Sequence, residues 1–184
     1  MKLALPLVAA ATAITALAPA FLPMPAGLKT GERVSAFHVQ HLSGPLANKV
    51  ACFPCTFQNR PQVQVWVHGD SEANVGAIAK MLDKEMTAHK GEEFKALIIV
   101  LHDDADKAQA EALAKSIPGK YGAKQIGVAF VPTTDQSVQD YKIDLSKKNT
   151  VYAYKNWTVQ NVWNNVDAKK DAGALNASVV KLVK

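Results

Sequence analysis

The fold is decided by residues 62–101, QVQVWVHGDSEANVGAIAKMLDKEMTAHKGEEFKALIIVL. In the first six residues, valine alternates with glutamine and tryptophan, a two-residue period that predicts a β-strand. Ser71 then offers a helix N-cap, and the apolar residues after it repeat with the spacing of one helical face at Val75, Ile78, Ala79, Leu82 and Met86. A nearly continuous apolar run over residues 94–101 predicts a second strand, buried on both faces as in a parallel sheet. The stretch therefore predicts a strand–helix–strand unit.

The rest of the C-terminal part continues this alternation of helices and strands. We predict a helix over residues 104–116 that ends before Pro118, a strand over 126–131, a short helix over 136–141, a hairpin of strands 151–154 and 159–163, and a final helix from about Ala172. Strand–helix–strand connections pair strands in parallel, whereas a hairpin is antiparallel. The order therefore predicts an α/β fold in which a mixed sheet has helices on both faces.

The N-terminus carries a candidate secretory signal peptide. Lys2 is followed by an uncharged apolar segment, and the triplets Ala18-Pro19-Ala20 and Met24-Pro25-Ala26 offer cleavage points for a signal peptidase. Prolines interrupt this segment, which argues against a membrane-spanning helix. We therefore expect an exported protein, periplasmic or extracellular, that consists of a signal peptide over 1–26, an irregular N-terminal arm over 27–62 and an α/β domain over 63–184. In the arm, only the apolar stretch 34–42 predicts a strand or hairpin.

The charge pattern argues against a nucleic-acid-binding surface. The chain has 21 Lys and Arg residues against 16 Asp and Glu residues, and its arginines are Arg33 and Arg60 alone. The lysines are scattered among acidic residues, whereas nucleic-acid-binding faces cluster Arg and Lys with aromatic side chains. The sequence contains neither a glycine-rich phosphate loop nor the nucleophile elbow of serine hydrolases. We therefore predict no cofactor, no nucleic-acid partner and, once the signal peptide is cleaved, no membrane partner.

The motif Cys52-Phe53-Pro54-Cys55 contains both cysteines of the chain. In an exported protein, two cysteines three residues apart form a redox dithiol, a structural disulfide or half of a metal site. The short loop holds the sulfurs close enough to interconvert between dithiol and disulfide, and a locally stabilised thiolate is a good nucleophile. The residues alone leave these three interpretations open.

The motif and the order of the elements resemble the thioredoxin-like superfamily, which includes exported thiol–disulfide oxidoreductases and peroxiredoxin-like proteins. The resemblance rests on Cys52-Phe53-Pro54-Cys55, in which proline precedes the second cysteine, and on the strand–helix–strand units with a terminal hairpin and helix over residues 62–184. It implies that Cys52 attacks substrate disulfides and that Cys55 resolves the mixed disulfide. The partners it implies are exported proteins or small thiols.

The chain departs from this superfamily at two places. The superfamily's dithiol follows the first central strand, at the N-terminus of the next helix, where the helix dipole and backbone N–H groups favour the thiolate. Here residues 68–71, His-Gly-Asp-Ser, occupy that place, and the cysteines precede the strand. Before the hairpin, where the superfamily has a cis-proline, residues 147–150 read Lys-Lys-Asn-Thr. An alternative interpretation is therefore a non-catalytic thioredoxin-fold binding protein with a structural Cys52–Cys55 disulfide.

Two further sets of side chains are candidate sites. Two imidazoles and two thiolates, a donor set that suits Zn or Cu, come from His38, His41, Cys52 and Cys55. On a strand, however, His38 and His41 would point to opposite faces. The second set follows two predicted strands, at the sheet edge where α/β proteins bind ligands, and consists of His68, Asp70, His102, Asp103 and Asp104. It could bind a cation or act in acid–base chemistry, although turn and helix capping also explains such residues.

Overall fold

The computed structural model describes residues 27–184, and the predicted signal peptide lies outside these residues. Within this range the chain forms seven strands and five α-helices. In chain order they are β1 Val39–Ser43, β2 Val50–Ala51, α1 Phe53–Phe57, β3 Gln62–Val67, α2 Glu72–Ala88, β4 Lys95–His102, α3 Lys107–Lys120, β5 Gly127–Pro132, α4 Gln136–Asp140, β6 Asn149–Lys155, β7 Thr158–Asn164 and α5 Ala168–Val183. In the described part, no helix is both long and apolar enough to span a bilayer.

The strands form one mixed sheet in the order β2-β1-β5-β4-β3-β6-β7. The neighbours β3, β4 and β5 are parallel, whereas β6 is antiparallel to β3, β7 to β6 and β1 to β5. The predicted β6–β7 hairpin turns through Asn156 and Trp157, which both have positive φ, as a tight two-residue turn requires. We call the edge where β3, β4 and β5 begin the N-terminal edge, and the edge where they end the C-terminal edge. The predicted α/β fold with a mixed sheet is confirmed.

Both faces of the sheet are covered, because the central strands are apolar on both sides. Every residue of β3 is buried. On one face, the valines of β3 pack into a core with the apolar sides of α2, α3 and α5. On the other face, Trp66 belongs to a second core, to which the N-terminal arm, α1 and α4 contribute. Full burial of one large apolar side chain stabilises a fold by roughly 1.5–3 kcal/mol, so these two cores hold the sheet between layers of helices.

Two glutamines of β3 lie inside the second core and are paired by hydrogen bonds. Gln64 Nε2 donates to the Tyr154 hydroxyl at 2.8 Å, and that hydroxyl donates to Gln62 Oε1 at 2.7 Å. Tyr154 is fully buried, so desolvation raises the pKa of its hydroxyl well above the usual value. Because a buried polar group is costly unless it is hydrogen-bonded, this chain of bonds lets glutamine alternate with valine in a strand that solvent does not reach.

The end of α3 and the start of α5 differ most from the sequence prediction. The prediction that α3 ends before Pro118 is wrong, because the helix continues through Pro118 to Lys120. Pro118 lies in the last turn, so its missing N–H removes one intrahelical bond near a helix end rather than in the interior. Helix α5 begins at Ala168, earlier than predicted, because Asp167 caps it and accepts the Lys169 N–H at 2.9 Å.

The N-terminal arm is more regular than its sequence indicates. Only the end of the apolar stretch 34–42 is a strand, β1, and β2 pairs with it in antiparallel. Upstream of β1 the arm follows the edge of β7, where the Gly31 N–H donates to the Val159 carbonyl at 2.8 Å. The five-residue α1 follows β2 directly and leads into β3. Elements as short as β2 and α1 carry no periodicity, which is why the sequence predicts loop in their place.

Candidate functional site

The two cysteines are bonded to each other at the start of α1, with their Cα atoms 5.2 Å apart. Cys52 is the N-cap of this helix, and its Sγ accepts the Cys55 N–H at 3.2 Å. Pro54 stands in the first turn, where its lack of an N–H removes no intrahelical bond. The Thr56 hydroxyl donates to the Cys52 carbonyl at 2.9 Å. The sequence therefore folds locally into a short capped helix that holds the two sulfurs together.

The two cysteines differ in their access to solvent. Cys52 is only 5% exposed, whereas Cys55 is half-buried. Phe53 is fully buried and packs edge-on against Phe57 in the second core, with ring centroids 4.7 Å apart. These rings orient α1 so that Cys55 lies toward the surface and Cys52 lies behind it. Since thiol–disulfide exchange requires access to a sulfur, an external thiol reaches Cys55 more readily than Cys52.

The disulfide lies at the N-terminal edge of the sheet. The Phe53 ring packs against Gly127, the first residue of β5, where a Cβ would lie 3.3 Å from the ring. At the other end of α1, the Gln58 carbonyl accepts a hydrogen bond at 3.1 Å from the side chain of Gln62, the first residue of β3. The six residues of β3 span about 20 Å at the usual rise of a strand. The disulfide is therefore about one strand length from the C-terminal edge.

The ring of His41 lies beside the disulfide loop and is fully buried. Its Nε2 is 3.2 Å from the Ala51 carbonyl, and its ring stacks on Phe53 with centroids 6.0 Å apart. Desolvation lowers the pKa of His41, with a smaller opposing effect from the Ala51 carbonyl, so the ring is neutral near pH 7. A carbonyl can only accept, so Nε2 carries the hydrogen and Nδ1 is a hydrogen-bond acceptor.

The four predicted metal ligands do not form a metal site. The two sulfurs are bonded to each other, and His41 Nε2 is occupied by the Ala51 carbonyl. His38 is exposed, whereas His41 is buried, as expected for side chains on opposite sides of the arm. Between residues 27 and 184, no group of three or more His, Cys, Asp or Glu side chains is placed to hold a metal ion. The structure thus brings His41 to the cysteines but leaves His38 apart.

At the C-terminal edge, three hydrogen-bonded side chains occupy the place of the superfamily's dithiol. We call these side chains, those of Asp70, Asn74 and Asn149, the joint. Asp70 Oδ2 accepts from Asn74 Nδ2 at 2.8 Å and from Asn149 Nδ2 at 2.6 Å. Asn149 begins β6, is 1% exposed, and accepts the Val166 N–H through Oδ1 at 2.8 Å. Ser71 caps α2, as the sequence predicts. The joint connects α2, β6 and the approach to α5, so the contacts of Asp70 are those of a structural residue.

Sequence reasoning missed Asn74 and Asn149, the two amides of this joint. The available signal was an asparagine directly before an apolar strand, at the position where the superfamily has its cis-proline. The described part of the chain has no cis peptide bond. A cavity of about 720 Å³ opens beside the joint and is lined by Asp70, Asn149 and Asp167, among others. The C-terminal edge thus keeps a concave surface but has neither the dithiol nor the proline of the superfamily.

The predicted histidine and aspartate cluster is only partly assembled. His68 Nε2 lies 3.6 Å from Asp103 Oδ2, and the Thr133 hydroxyl donates to Asp103. The Thr133 hydrogen bond, followed by the charge of His68, holds the pKa of the Asp103 carboxyl below its ordinary value. His102 is buried nearby, and Asp104 is exposed. The cluster therefore joins His68, Asp103 and Thr133 and leaves Asp104 in solvent.

Comparison with known proteins identifies the architecture. No family model and no curated protein matches the sequence. Among solved structures, a Chlorobium tepidum protein provisionally assigned as thiol:disulfide interchange protein DsbE is 16% identical with a TM-score of 0.62, over 85% of this chain and 99% of that one. A secreted disulfide oxidoreductase of Mycobacterium tuberculosis, homologous to E. coli DsbE, is 17% identical with a TM-score of 0.56, over 79% and 96%. Peroxidoxin BcpB of M. tuberculosis is 11% identical with a TM-score of 0.58, over 84% and 98%.

At these identities the likeness concerns the fold. The shared architecture agrees with the observed sheet, in which parallel central strands are followed by an antiparallel hairpin and a terminal helix. Function depends on the site that a fold carries, and in this chain the sulfurs lie at the N-terminal edge. The resemblance found in the sequence is confirmed for the architecture: the chain has the thioredoxin-like fold.

Proposed function

We propose that this is an exported thioredoxin-fold protein that exchanges its Cys52–Cys55 disulfide with thiols of exported proteins or with small thiols. The observation that carries the proposal is the unequal access of the two cysteines, Cys55 half-buried at the surface and Cys52 buried behind it. Exchange needs one sulfur that an external thiol reaches and a second that can leave and return. The short helix α1 supplies both within one turn.

The chemistry of the exchange follows from these positions. The thiolate of a reductant attacks Cys55 Sγ, the S–S bond breaks, and the electron pair leaves on Cys52 Sγ. The Cys55 N–H, 3.2 Å from that sulfur, is a donor that stabilises the leaving thiolate. A second reductant thiol then attacks the mixed disulfide, which releases the Cys55 thiol and an oxidised reductant. The superfamily resemblance implies that Cys52 is the cysteine that reacts with the partner, whereas the exposed fractions of the two residues favour Cys55. The trapping experiment described below distinguishes these two assignments.

A surface for the reacting partner is available beside α1. A cavity of about 430 Å³ is lined in part by Gln58, Arg60 and Glu93. Gln58 is the C-cap of α1, so this cavity lies at the C-terminal end of the helix that contains Cys55. The cavity carries both signs of charge, because Arg60 Nε pairs with Glu93 Oε2 at 2.6 Å. This mixed surface supports a partner with polar groups rather than a purely apolar one.

The sequence of residues 1–26, with its signal-peptide pattern, supports the proposal that the protein is exported. A disulfide is also the form in which cysteines persist in oxidising compartments, such as the periplasm or the extracellular space. The mature protein should begin at Phe21 or Gly27, after one of the two small-residue triplets. N-terminal sequencing of the protein recovered from the periplasm or medium tests this, and retention of the intact chain in the cytoplasm would contradict it.

A second candidate function is structural, and one observation favours it. The disulfide lies about one strand length from the C-terminal edge where the superfamily has its dithiol, and the fully buried Phe53 between the cysteines anchors the loop. In this case the disulfide would fasten the N-terminal arm, and the protein would act by binding. A structural disulfide has a reduction potential below about −300 mV.

Trapping variants test the exchange. Cys52→Ser leaves the more accessible Cys55 as a single thiol, which should form mixed disulfides with glutathione or with partner proteins, detected by mass spectrometry. Cys55→Ser leaves a buried thiol and should trap far less, and Cys52→Ser/Cys55→Ser is the control that traps nothing. Trapping by Cys55→Ser alone would instead support attack by Cys52. Failure of both single variants to form mixed disulfides would rule out the exchange function.

A further inference from the structure

Among the described residues, one buried side-chain polar atom has no hydrogen-bond partner, and it is His41 Nδ1. The opposite ring nitrogen is 3.2 Å from the Ala51 carbonyl, which makes Nδ1 the acceptor of a neutral ring. Nearly all buried polar groups in folded proteins are paired. An unpaired buried acceptor therefore indicates that a hydrogen-bond donor is missing at this position in the disulfide form. Burial of the ring is total, so solvent does not supply the missing donor directly.

The surroundings of the ring point to Cys52 as the source of the missing donor. The His41 ring contacts both chain neighbours of Cys52, since it hydrogen-bonds the carbonyl of Ala51 and stacks on the ring of Phe53. Cys52 is itself 5% exposed, so this residue, like the imidazole, is shielded from solvent. As a disulfide, this sulfur has no hydrogen to donate. As a thiol, it has one.

We infer that His41 Nδ1 accepts a hydrogen bond from the Cys52 thiol when the disulfide is reduced, and that His41 thereby shifts the equilibrium toward the dithiol. The inference rests on the proposed function only in requiring that the disulfide can be reduced. His41 is a positioning residue in this scheme, because it meets the leaving sulfur and not the external thiol.

The step balances as follows. Two reductant thiols supply two electrons and two protons, and they become one disulfide. Cys52 and Cys55 each gain one electron and one proton as the S–S bond breaks. The proton on Cys52 Sγ is the one that points to His41 Nδ1. The imidazole keeps its own hydrogen on Nε2 throughout, where it continues to hold the Ala51 carbonyl.

The size of the effect follows from the cost of an unpaired buried acceptor. That cost corresponds to a factor of roughly five to one hundred in an equilibrium constant. Because a thiol is a weak donor, the gain on reduction lies at the low end, about fivefold to tenfold. For a two-electron couple this is a shift of about 20–30 mV in the reduction potential.

The test compares His41→Gln with the matched control His38→Gln. Glutamine places an amide N–H near the position of Nε2, so it keeps the bond to the Ala51 carbonyl, but it provides no acceptor at the position of Nδ1. We expect His41→Gln to lower the equilibrium constant for reduction by glutathione about fivefold to tenfold and His38→Gln, at an exposed position, to leave it unchanged. Equal constants for the wild type and both variants would overturn the inference, because holding Ala51 would then be the whole role of His41.

A spectroscopic measurement on the wild-type protein tests the same inference and does not depend on whether a variant folds. With ¹⁵N-labelled histidine, the Nδ1 resonance of His41 should move upfield on reduction as the lone pair accepts the thiol hydrogen, while the His38 resonances stay in place. An Nδ1 resonance that is the same in both redox states would overturn the inference. The outcome is separable from that of the proposed function. A shifted resonance in a protein whose potential lies below about −300 mV would support the hydrogen bond and reject exchange.

Discussion

The two edges of the sheet carry different chemistry on the same strands. At the N-terminal edge, β3, β4 and β5 begin beside α1, where the disulfide lies, and the buried imidazole of His41 on β1 lies next to it. At the C-terminal edge, β3 ends beside a joint of one carboxylate and two amides, Asp70, Asn74 and Asn149. In the superfamily that this chain resembles, the dithiol belongs to the second of these places. The difference shows that the fold brings loops together at both edges of the sheet, whereas the loop sequences determine which edge carries reactive groups.

The largest expected effect comes from the side chain that anchors the disulfide loop. Phe53→Ala removes a fully buried ring from the second core, and the loss of packing should lower the free energy of unfolding by about 3–5 kcal/mol. Denaturant unfolding of the oxidised protein measures this loss. Val50→Ala, at a site 67% exposed two residues before Cys52, is the control and should change stability by less than about 0.5 kcal/mol. A small effect of Phe53→Ala would mean that the loop is not anchored at the N-terminal edge.

A smaller effect is expected at the other edge. Asn149→Ala removes the amide that bonds Asp70 and Val166, and it leaves buried groups unpaired, so stability should fall by about 1–3 kcal/mol. Asn161→Ala, at a partly exposed position of β7, should have little effect and is the control. The rate of thiol exchange should be the same in Asn149→Ala as in the wild type, measured well below the unfolding transition. A slower exchange would mean that the two edges are coupled, against the separation described above.

The smallest expected effect concerns Asp103 at the C-terminal edge. Thr133→Val removes the hydroxyl that donates to this carboxylate, so the pKa of Asp103 should rise toward its ordinary value. A carboxyl whose folded-state pKa is lowered stabilises the fold above its unfolded pKa, and this stabilisation is lost as the pH falls through the folded pKa. The variant should therefore lose less stability than the wild type on acidification. Carboxyl NMR titration checks the pKa, and an unchanged value would show that the Thr133 hydrogen bond does not lower it.

The sequence predicts the sheet well because its central strands and helices have clear periods. The apolar run 94–101 and the alternation over 62–67 become neighbouring parallel strands, and the helix after Ser71 follows its predicted face. The sequence predicts burial on both faces for residues 94–101, because this run is almost continuously apolar. It does not predict it for residues 62–67, where two glutamines alternate with the valines. Their burial depends on the hydroxyl group of the distant Tyr154, and a local pattern does not contain that information.

The candidate site is harder to predict because it depends on contacts between segments far apart in the chain. The motif Cys52-Phe53-Pro54-Cys55 identifies the reactive pair, but its place at the N-terminal edge follows from Phe53 packing on Gly127. The sequence suggests His41 as a metal ligand, whereas the structure places its ring in the core beside the loop, with Nε2 hydrogen-bonded to the Ala51 carbonyl. The asparagine joint has no local signature, because its partners come from α2, β6 and the segment before α5.

The reduction potential of the Cys52–Cys55 pair decides most directly whether the N-terminal edge is a redox site. It is measured by equilibrating the protein in glutathione buffers of stepped ratio and counting free thiols after acid quenching. Exchange with partner thiols requires a value in the range of known oxidoreductases, roughly −120 to −270 mV, and this is the result we predict. A value below about −300 mV would contradict it and would leave the disulfide as a structural clasp on the N-terminal arm.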